Sequence, residues 1–311
     1  MGLAYLAILA AGAAIASSSS FPAKPYGLLI LAEGNDPAWK ATAEGIRKKL
    51  EDKTPFQIAF GEADARALRR AVKALEAQRA QKIITVPIFL SSFSEAMEQS
   101  RILLGVAAAP KPSVAPERAR TKLAELKPIE VGIPLVMTEA LDDDPIVADI
   151  LVTRAKSVAR GARTSVLLVA QSPSDAQAAK LWRQSAESLA EKVRVKGGFT
   201  AVEVAALPIN DRPEDRRAAE AQLRKRSLGL RGDGPIVVLP LELTPGDVSR
   251  AAKRALSGLF ARYDGKGMLP DARITAWVQS SFERGSRMAD MRILKGPRNG
   301  ALAPAQSGGY Q

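Results

Sequence analysis

Two residue types are absent from the chain, and each absence removes a class of chemistry. The 311-residue sequence contains no cysteine and no histidine. Without cysteine there is no disulfide framework, thiolate nucleophile or iron–sulfur cluster. Without histidine there is no Ser-His-Asp triad, and the zinc sites that depend on Cys and His ligands are excluded as well. A bound metal ion would need oxygen ligands, which favour hard cations.

Aromatic residues are scarce as well, at 5% of the chain, whereas cations are in excess. The sequence has 45 Lys and Arg against 33 Asp and Glu, and its formal net charge is +12. No phosphate-binding glycine motif and no recognised nucleic-acid motif accompanies this charge, so we expect no specific nucleic acid. The cations instead suit an anionic small molecule or, in an exported protein, an anionic envelope surface.

An uncharged apolar run from Leu3 to Ala16 opens the chain and ends in Ala14-Ile15-Ala16. The run is shorter than the roughly 20 residues of a membrane span, and the Ala-x-Ala ending fits a signal-peptidase site. The sequence therefore predicts a signal peptide and linker over residues 1–25, a mature chain from about Ser17, and a periplasmic or secreted location. A packed or disordered N-terminal helix and an uncleaved membrane anchor are the alternatives.

From Tyr26 onward, short apolar runs alternate with helical stretches, a pattern typical of parallel α/β units. Strands are predicted at 27–32, 57–60, 82–90 and 127–133. After a basic joint at 160–163 the same order returns, with predicted strands at 165–170, 201–207, 235–243 and 273–278. Pro240 stands in the second half where Pro87 stands in the first.

This repetition predicts an internal duplication of one doubly wound unit. The N-terminal unit is predicted over residues 26–160 and the C-terminal unit over residues 161–285. Residues 286–311 are rich in Gly, Arg and Pro without periodicity, which predicts a flexible basic tail. Ligands of open parallel sheets bind outside the carboxyl ends of the strands, so the loops at 33–35, 91–95, 171–174 and 244–247 are the candidate site.

Two of these loops resemble the class II tetrapyrrole metal chelatases, that is, the sirohydrochlorin cobaltochelatases and ferrochelatases, in their duplicated form. The first strand, LLILA, is followed by Glu33-Gly34-Asn35, where the family has a His-Gly-Ser-like turn. The third carries VPIFL followed by the serine-rich turn 91–95, where the family has a second His. The stretch 141–155 is similar too, and the resemblance covers about 26–285. It implies an α/β fold of two tandem doubly wound, flavodoxin-like parallel-sheet units.

The resemblance also implies a set of site residues. The family's metal-binding imidazoles fall on Glu33 and Phe93, and in the second half on Gln171 and the turn containing Asp247. Glu33 is then the catalytic proton acceptor. The metal ligands would be Glu33, Glu62 and Glu95, and the substrate-binding residues would be Asn35, Ser91, Ser92, Phe93, Gln171 and Asp247. Taken singly, each acid equally fits a helix cap or a solvated surface position.

The resemblance therefore implies a chelatase-family protein that binds an anionic tetrapyrrole, a divalent metal ion, or both. Cobalt, iron or nickel would be a substrate, and no tightly bound cofactor is expected. The alternative is a non-catalytic extracytoplasmic binding or scaffold protein on the same fold. A solvated glutamate, with a reference pKa near 4.3, is a weaker base than imidazole. We therefore expect metal insertion to be absent or far slower than in relatives that carry histidine.

Overall fold

Two parallel sheets organise the chain in the computed structural model, which describes residues 25–50, 54–109, 125–159, 163–207, 213–231 and 236–293. The predicted signal peptide lies outside these residues, as does the predicted tail beyond residue 293. Within these ranges, no helix has the length and apolar character needed to cross a membrane.

The sheets contain four strands each, and every neighbouring pair is parallel. The first sheet has the order β2-β1-β3-β4, with β1 at Tyr26–Ala32, β2 at Phe56–Phe60, β3 at Lys82–Ile88 and β4 at Leu135–Met137. The second has the order β6-β5-β7-β8, with β5 at Ser165–Gln171, β6 at Ala201–Leu207, β7 at Ile236–Pro240 and β8 at Ala261–Arg262. The predicted α/β class with two doubly wound sheets is confirmed.

The strand register relates the two sheets residue by residue. Pro87 pairs with Leu31 in the first sheet, and Pro240 pairs with Val169 in the second. Glu33 follows Leu31 by two residues, just as Gln171 follows Val169. The matched prolines therefore place Glu33 and Gln171 at equivalent positions, as the sequence predicted.

Helices connect the strands and begin at the carboxyl ends of the sheets. They are α1 at Pro37–Lys49, α2 at Ala65–Ala77, α3 at Glu95–Leu103, α4 at Pro145–Val158, α5 at Ala176–Gly197, α6 at Pro213–Arg231, α7 at Asp247–Ala255 and α8 at Ala272–Arg287. The side chains of Asp36, Asp64 and Asp175 each accept hydrogen bonds from backbone amides in the first turn of the helix that follows. These carboxylates satisfy amide groups that have no partner within the helix.

Both predicted fourth strands are wrong. Residues 127–133 run as irregular chain before β4, because this stretch holds Pro128 and Gly132 and is followed by Pro134, which disfavour a strand interior. Residues 273–278 belong to α8. Six residues are too few to show the helical period. Over a longer stretch the period is clear, since Ile274, Val278 and Phe282 are buried four residues apart. The actual partner of β7 is the two-residue β8.

The two halves exchange a helix. Helix α4 follows the first sheet but packs against α5 and β7, whereas α8 follows the second sheet but packs against α1 and β3. The inner faces of both sheets and these four helices share one hydrophobic cluster, which we call the central cluster. A smaller cluster covers the outer face of each sheet, with α2 and α3 on the first and α6 and α7 on the second. The exchange therefore joins the two sheets through one core.

The first residues of the predicted tail, 286–293, belong to the folded part of the protein. Residues 286 and 287 complete α8, and the segment after it returns to the first sheet. The amide of Leu135 donates to Asp290 Oδ1 at 3.1 Å, and Arg292 donates through Nη1 to the carbonyl of Val131 at 2.6 Å. Asp290 and Arg292 also form an ion pair in which the side chains are 18% and 7% exposed. This segment fastens the C-terminal helix to the edge strand β4.

We expect Asp290→Asn to lower the free energy of unfolding at pH 7 by about 2 kcal/mol. Burial acts to raise the pKa of Asp290, but hydrogen bonds from Arg292 and from the amide of Leu135 outweigh it and lower the pKa to about 2. The folded pKa lies below the unfolded value, so the stabilisation is present above about pH 4 and is lost as the pH falls toward 2. Urea unfolding at pH 7 and at pH 2.5 measures the difference, with exposed Glu98→Gln as the control. An equal loss at both pH values would contradict this assignment.

Candidate functional site

The turn after β1 holds Glu33 in a fixed position. Strand β1 is buried up to Ala32, and Gly34 follows Glu33 before Asp36 caps α1. A Cβ atom on Gly34 would lie 2.8 Å from the indole of Trp39, which is itself 3% exposed. Only glycine lets the chain pass this close to the ring, so the turn is fixed by the core beneath it.

The environment of Glu33 changes its protonation. Its side chain is partly buried at the carboxyl end of the sheet, and burial, together with the negative charges of Glu62 and Glu242, raises its pKa to about 8. At pH 7 most of these carboxyl groups are therefore protonated. A neutral carboxyl can both donate and accept a hydrogen bond, and above pH 8 it becomes a general base.

The two acids near Glu33 come from different units. Glu62 follows β2 and is exposed, whereas Glu242 follows β7 in the second sheet. Glu242 accepts hydrogen bonds from the amides of Gly246 at 2.9 Å and Val248 at 2.7 Å, so it caps α7, whose own N-cap residue is a glycine. The second unit thus places a fixed carboxylate within electrostatic reach of Glu33.

The sequence alone does not predict Glu242 as a site residue, because it lies inside the apolar run PIVVLPLEL, a pattern that predicts a strand. The match between the two repeats does point to Glu242. With Pro87 and Pro240 matched, Glu242 takes the place of the buried Phe89 in the first unit. An acid in one unit, at the position where the other unit has a buried aromatic residue, is a candidate functional residue.

The serine-rich turn after β3 is held by internal hydrogen bonds. The amide and hydroxyl of Ser92 both donate to the carboxylate of Asp142, at 2.8 and 2.5 Å. The amide of Ala140 donates to the Ser92 hydroxyl, and Arg101 donates to the Ser92 carbonyl. Ser92 is 5% exposed, and these hydrogen bonds occupy its amide, its hydroxyl and its carbonyl. Ser92 therefore positions the turn and does not present a free hydroxyl. Phe93 packs partly buried against the central cluster.

The other predicted site residues are spread along the carboxyl ends of the strands. Asn35 and Gln171 are exposed, and Asp247 is exposed and paired with Arg250. The hydroxyl of Ser91 accepts a hydrogen bond from the amide of Phe93 at 3.1 Å.

Glu95 is separate from the charges that act on Glu33. It accepts a hydrogen bond from Ser174 of the second unit at the first turn of α3. The structure brings Glu33 and Glu62 together but adds Glu242, not Glu95, to them. In the part of the chain that the structure describes, no group of three or more Asp, Glu, His or Cys residues could hold a metal ion. The ligand roles of Glu33, Glu62 and Glu95 stay a prediction.

Several exposed cations lie on two helices of the second unit. Arg216, Arg217, Arg224, Lys225 and Arg226 are on α6, and Lys253 and Arg254 are in the last turn of α7. Both helices cover the outer face of the second sheet. These cations therefore belong to the outer layer of the second unit, and the anionic partner that the charge suggested stays a prediction. We call the place where Glu33, Glu62, Phe93 and Glu242 stand the carboxyl-edge site.

Comparison with known proteins shows which family model and which solved structures this chain resembles. Residues 27–158 match the family model CbiX. A search of curated proteins finds no significant match. Among solved structures, SirB from Bacillus subtilis with Fe3+ is 13% identical, with a TM-score of 0.55 over 86% of this chain and 96% of that one.

Two further structures are similar. The sirohydrochlorin chelatase SirB from Bacillus subtilis subspecies spizizenii, in complex with cobalt, is 15% identical, with a TM-score of 0.52 over 86% of this chain and 99% of that one. A multi-domain protein of Deinococcus radiodurans, described as structurally similar to chelatases, is 15% identical, with a TM-score of 0.50 over 85% of this chain and 56% of that one. The family match in the first unit and the shared fold across both units confirm the resemblance that the sequence indicated.

Proposed function

We propose that this relative of the class II tetrapyrrole chelatases binds a tetrapyrrole at the carboxyl-edge site, with Glu33 against the pyrrole nitrogens. The observation that supports this most strongly is the placement of Glu33. It stands where the family has a metal-binding imidazole, fixed by the turn over Trp39, and burial with Glu62 and Glu242 raises its pKa to about 8. A neutral carboxyl can donate to an imine nitrogen of the macrocycle and accept from a pyrrole N–H.

The same protonation state makes metal insertion slow at neutral pH. Insertion requires a base that takes two pyrrole protons and a ligand that holds the incoming ion. At pH 7 most Glu33 groups are protonated and can do neither. Phe93, at the family's second histidine position, offers no ligand atom. Insertion through Glu33 should therefore be weak and should increase as the pH rises through about 8.

The metal ion is a substrate in this proposal and is not expected to bind tightly by itself. Because no group of three acids in the described residues suits a metal ion, oxygen ligands from the protein are too few to hold cobalt or nickel firmly. The macrocycle nitrogens would complete the coordination. In this proposal the protein chiefly binds the tetrapyrrole, and metal insertion is a slower, secondary activity.

A binding or scaffold protein without turnover is the second candidate function. Phe93 favours it, because an aromatic side chain partly buried against the central cluster provides an apolar surface for a macrocycle but no chemistry. The internal hydrogen bonds of Ser92 favour it too, since the turn has no free hydroxyl there. The two candidates differ only in whether metal is inserted.

The test combines a binding titration with an insertion assay. We expect a carboxylated porphyrin to shift its visible absorption on binding, with Glu33→Lys weakening the binding about tenfold or more, because a buried cation cannot replace a neutral carboxyl. Cobalt insertion into sirohydrochlorin should be barely detectable at pH 7, should rise through pH 8, and should vanish in Glu33→Gln. Exposed Glu98→Gln is the matched control.

A double variant, Glu33→His with Phe93→His, should increase insertion at pH 7, because it restores an imidazole at both positions. Fast insertion by the unmodified protein at pH 7 would contradict slow turnover. Absence of porphyrin binding by the unmodified protein would contradict the proposed function as a whole.

A further inference from the structure

We propose that the outer end of the second unit docks on an anionic lipid surface. The surface consists of Arg224, Lys225, Leu228, Lys253 and Phe260, and we call it the amino-edge patch. It lies at the amino end of the second sheet, opposite the carboxyl-edge site, so it does not depend on the function proposed above.

The topology brings these residues together. Helix α6 returns from β6 and ends before β7, and α7 returns from β7 and ends before β8. The first residues of the two strands, Ile236 and Ala261, pair with each other, and Phe260 directly precedes Ala261. The ends of both helices therefore lie at one edge of the sheet.

Direct contacts join α6 to the turn after α7. Arg224 donates through Nη1 to the carbonyl oxygens of Ala255 at 3.2 Å and Ser257 at 2.9 Å. Leu228 lies one helical turn beyond Arg224 on the same face of α6. Phe260 follows Ser257 by three residues. The guanidinium thus fastens together the two segments that carry the exposed apolar side chains.

Two large apolar side chains of the patch are mostly exposed. Phe260 is 73% exposed and Leu228 is 51% exposed, although both stand among charged neighbours. Cations at the C-terminal ends of helices are expected from the helix dipole alone, so the basic residues would not by themselves indicate a ligand. Large apolar side chains in water are not explained in that way.

The charge of the patch favours an anionic surface. Among the residues that the structure describes at the ends of these two helices and in their ion pairs, the five cations Arg224, Lys225, Arg226, Lys253 and Arg254 stand against the two acids Glu203 and Glu220, which leaves a charge of +3. Phe and Leu beside Lys and Arg are typical of protein surfaces that bind at the headgroup level of a membrane. A nucleic acid would gain nothing from Leu228 and would find a single aromatic residue on which to stack a base.

The cysteine-free sequence permits a direct test on the full chain. A polarity-sensitive fluorophore is attached to Ser257→Cys, beside Phe260, and in a separate protein to Ser280→Cys, an exposed position on α8. The proteins are mixed with phosphatidylcholine vesicles that contain or lack phosphatidylglycerol. We expect a several-fold rise in fluorescence at position 257 with the anionic vesicles only, and none at position 280. Because the label reports contact at the patch, binding through any other segment does not imitate this result.

Matched variants identify the residues responsible. Lys225→Glu with Lys253→Glu should weaken the anionic-vesicle response at least about 30-fold, since each cation lost near such a surface costs roughly a factor of five and each added carboxylate is repelled. Arg69→Glu with Lys73→Glu, on exposed positions of α2, changes the net charge equally and should have little effect. Leu228→Ser with Phe260→Ser should remove the response. No response at position 257, an equal response at position 280, or an equal response to a DNA duplex would each overturn the proposal.

Discussion

Replacing Glu33 by glutamine should stabilise the protein at pH 9 by about 3 to 5 kcal/mol and leave its stability at pH 4 unchanged. Burial, with the charges of Glu62 and Glu242, raises the pKa of Glu33 to about 8, above its unfolded value. Between about pH 4.5 and pH 8 the folded state therefore binds more protons than the unfolded state, so the free energy of unfolding falls as the pH rises through this range. The glutamine variant has no such charge to bury.

Urea unfolding of the two proteins at pH 4, 7 and 9 measures the effect. Glu62→Gln should give a smaller gain at pH 9, because it removes only one of the charges that act on Glu33. Exposed Glu98→Gln should have only a small effect, because this acid in the first turn of α3 is solvated and interacts weakly with the helix dipole. If Glu33→Gln destabilised the protein at pH 9, the carboxylate would have a stabilising partner, and the neutral Glu33 of the proposed function would be wrong.

Arg154→Met should cost about 3 to 5 kcal/mol at pH 7, because it leaves a buried carboxylate without its partner. Arg154 on α4 donates to both oxygens of Asp264, at 2.7 and 3.0 Å, and to the carbonyl of Pro240 at 3.2 Å. The two side chains are only 6% and 1% exposed. This ion pair joins the helix that follows the first sheet to the second sheet, so its loss should loosen the connection between the units.

The control is an ion pair in which both side chains are in solvent. Arg194 pairs with Glu191 at 2.7 Å, with exposures of 44% and 59%, and Arg194→Met should leave the stability nearly unchanged, because solvent screens such a pair. Arg154→Met combined with Asp264→Leu should recover most of the lost stability, since an apolar pair can replace a buried ion pair. An equal loss of unfolding free energy in Arg154→Met and Arg194→Met would show that the buried ion pair stabilises the protein no more than the exposed one.

The sheets could be predicted from the sequence because their strands are continuous apolar runs between turn residues. The short runs GLLILA and SVLLVA, bounded by turn residues, favour buried strands, and Pro87 and Pro240 pair with equivalent positions of these strands. The helix exchange could not be predicted. Hydrophobic periodicity shows that α4 and α8 have buried faces, but not which sheet each one covers.

The candidate site was predictable only in part. Glu33 followed from its place at the end of β1, since that rule depends on strand direction alone. Glu242 did not, because its effect on Glu33 depends on the way the two units meet. The raised pKa of Glu33 is likewise a property of burial, which no local sequence pattern expresses.

The most direct test of the proposed function is a carbon-detected NMR titration of the Glu33 carboxyl carbon, assigned by its loss in Glu33→Gln, with and without a carboxylated porphyrin. We predict that this carbon titrates near pH 8 in the free protein. We also predict that porphyrin shifts its resonance at pH 7 and leaves that of Glu98 in place. Titration of Glu33 near pH 4.5, or a resonance that porphyrin does not move, would contradict a neutral carboxyl that meets the macrocycle.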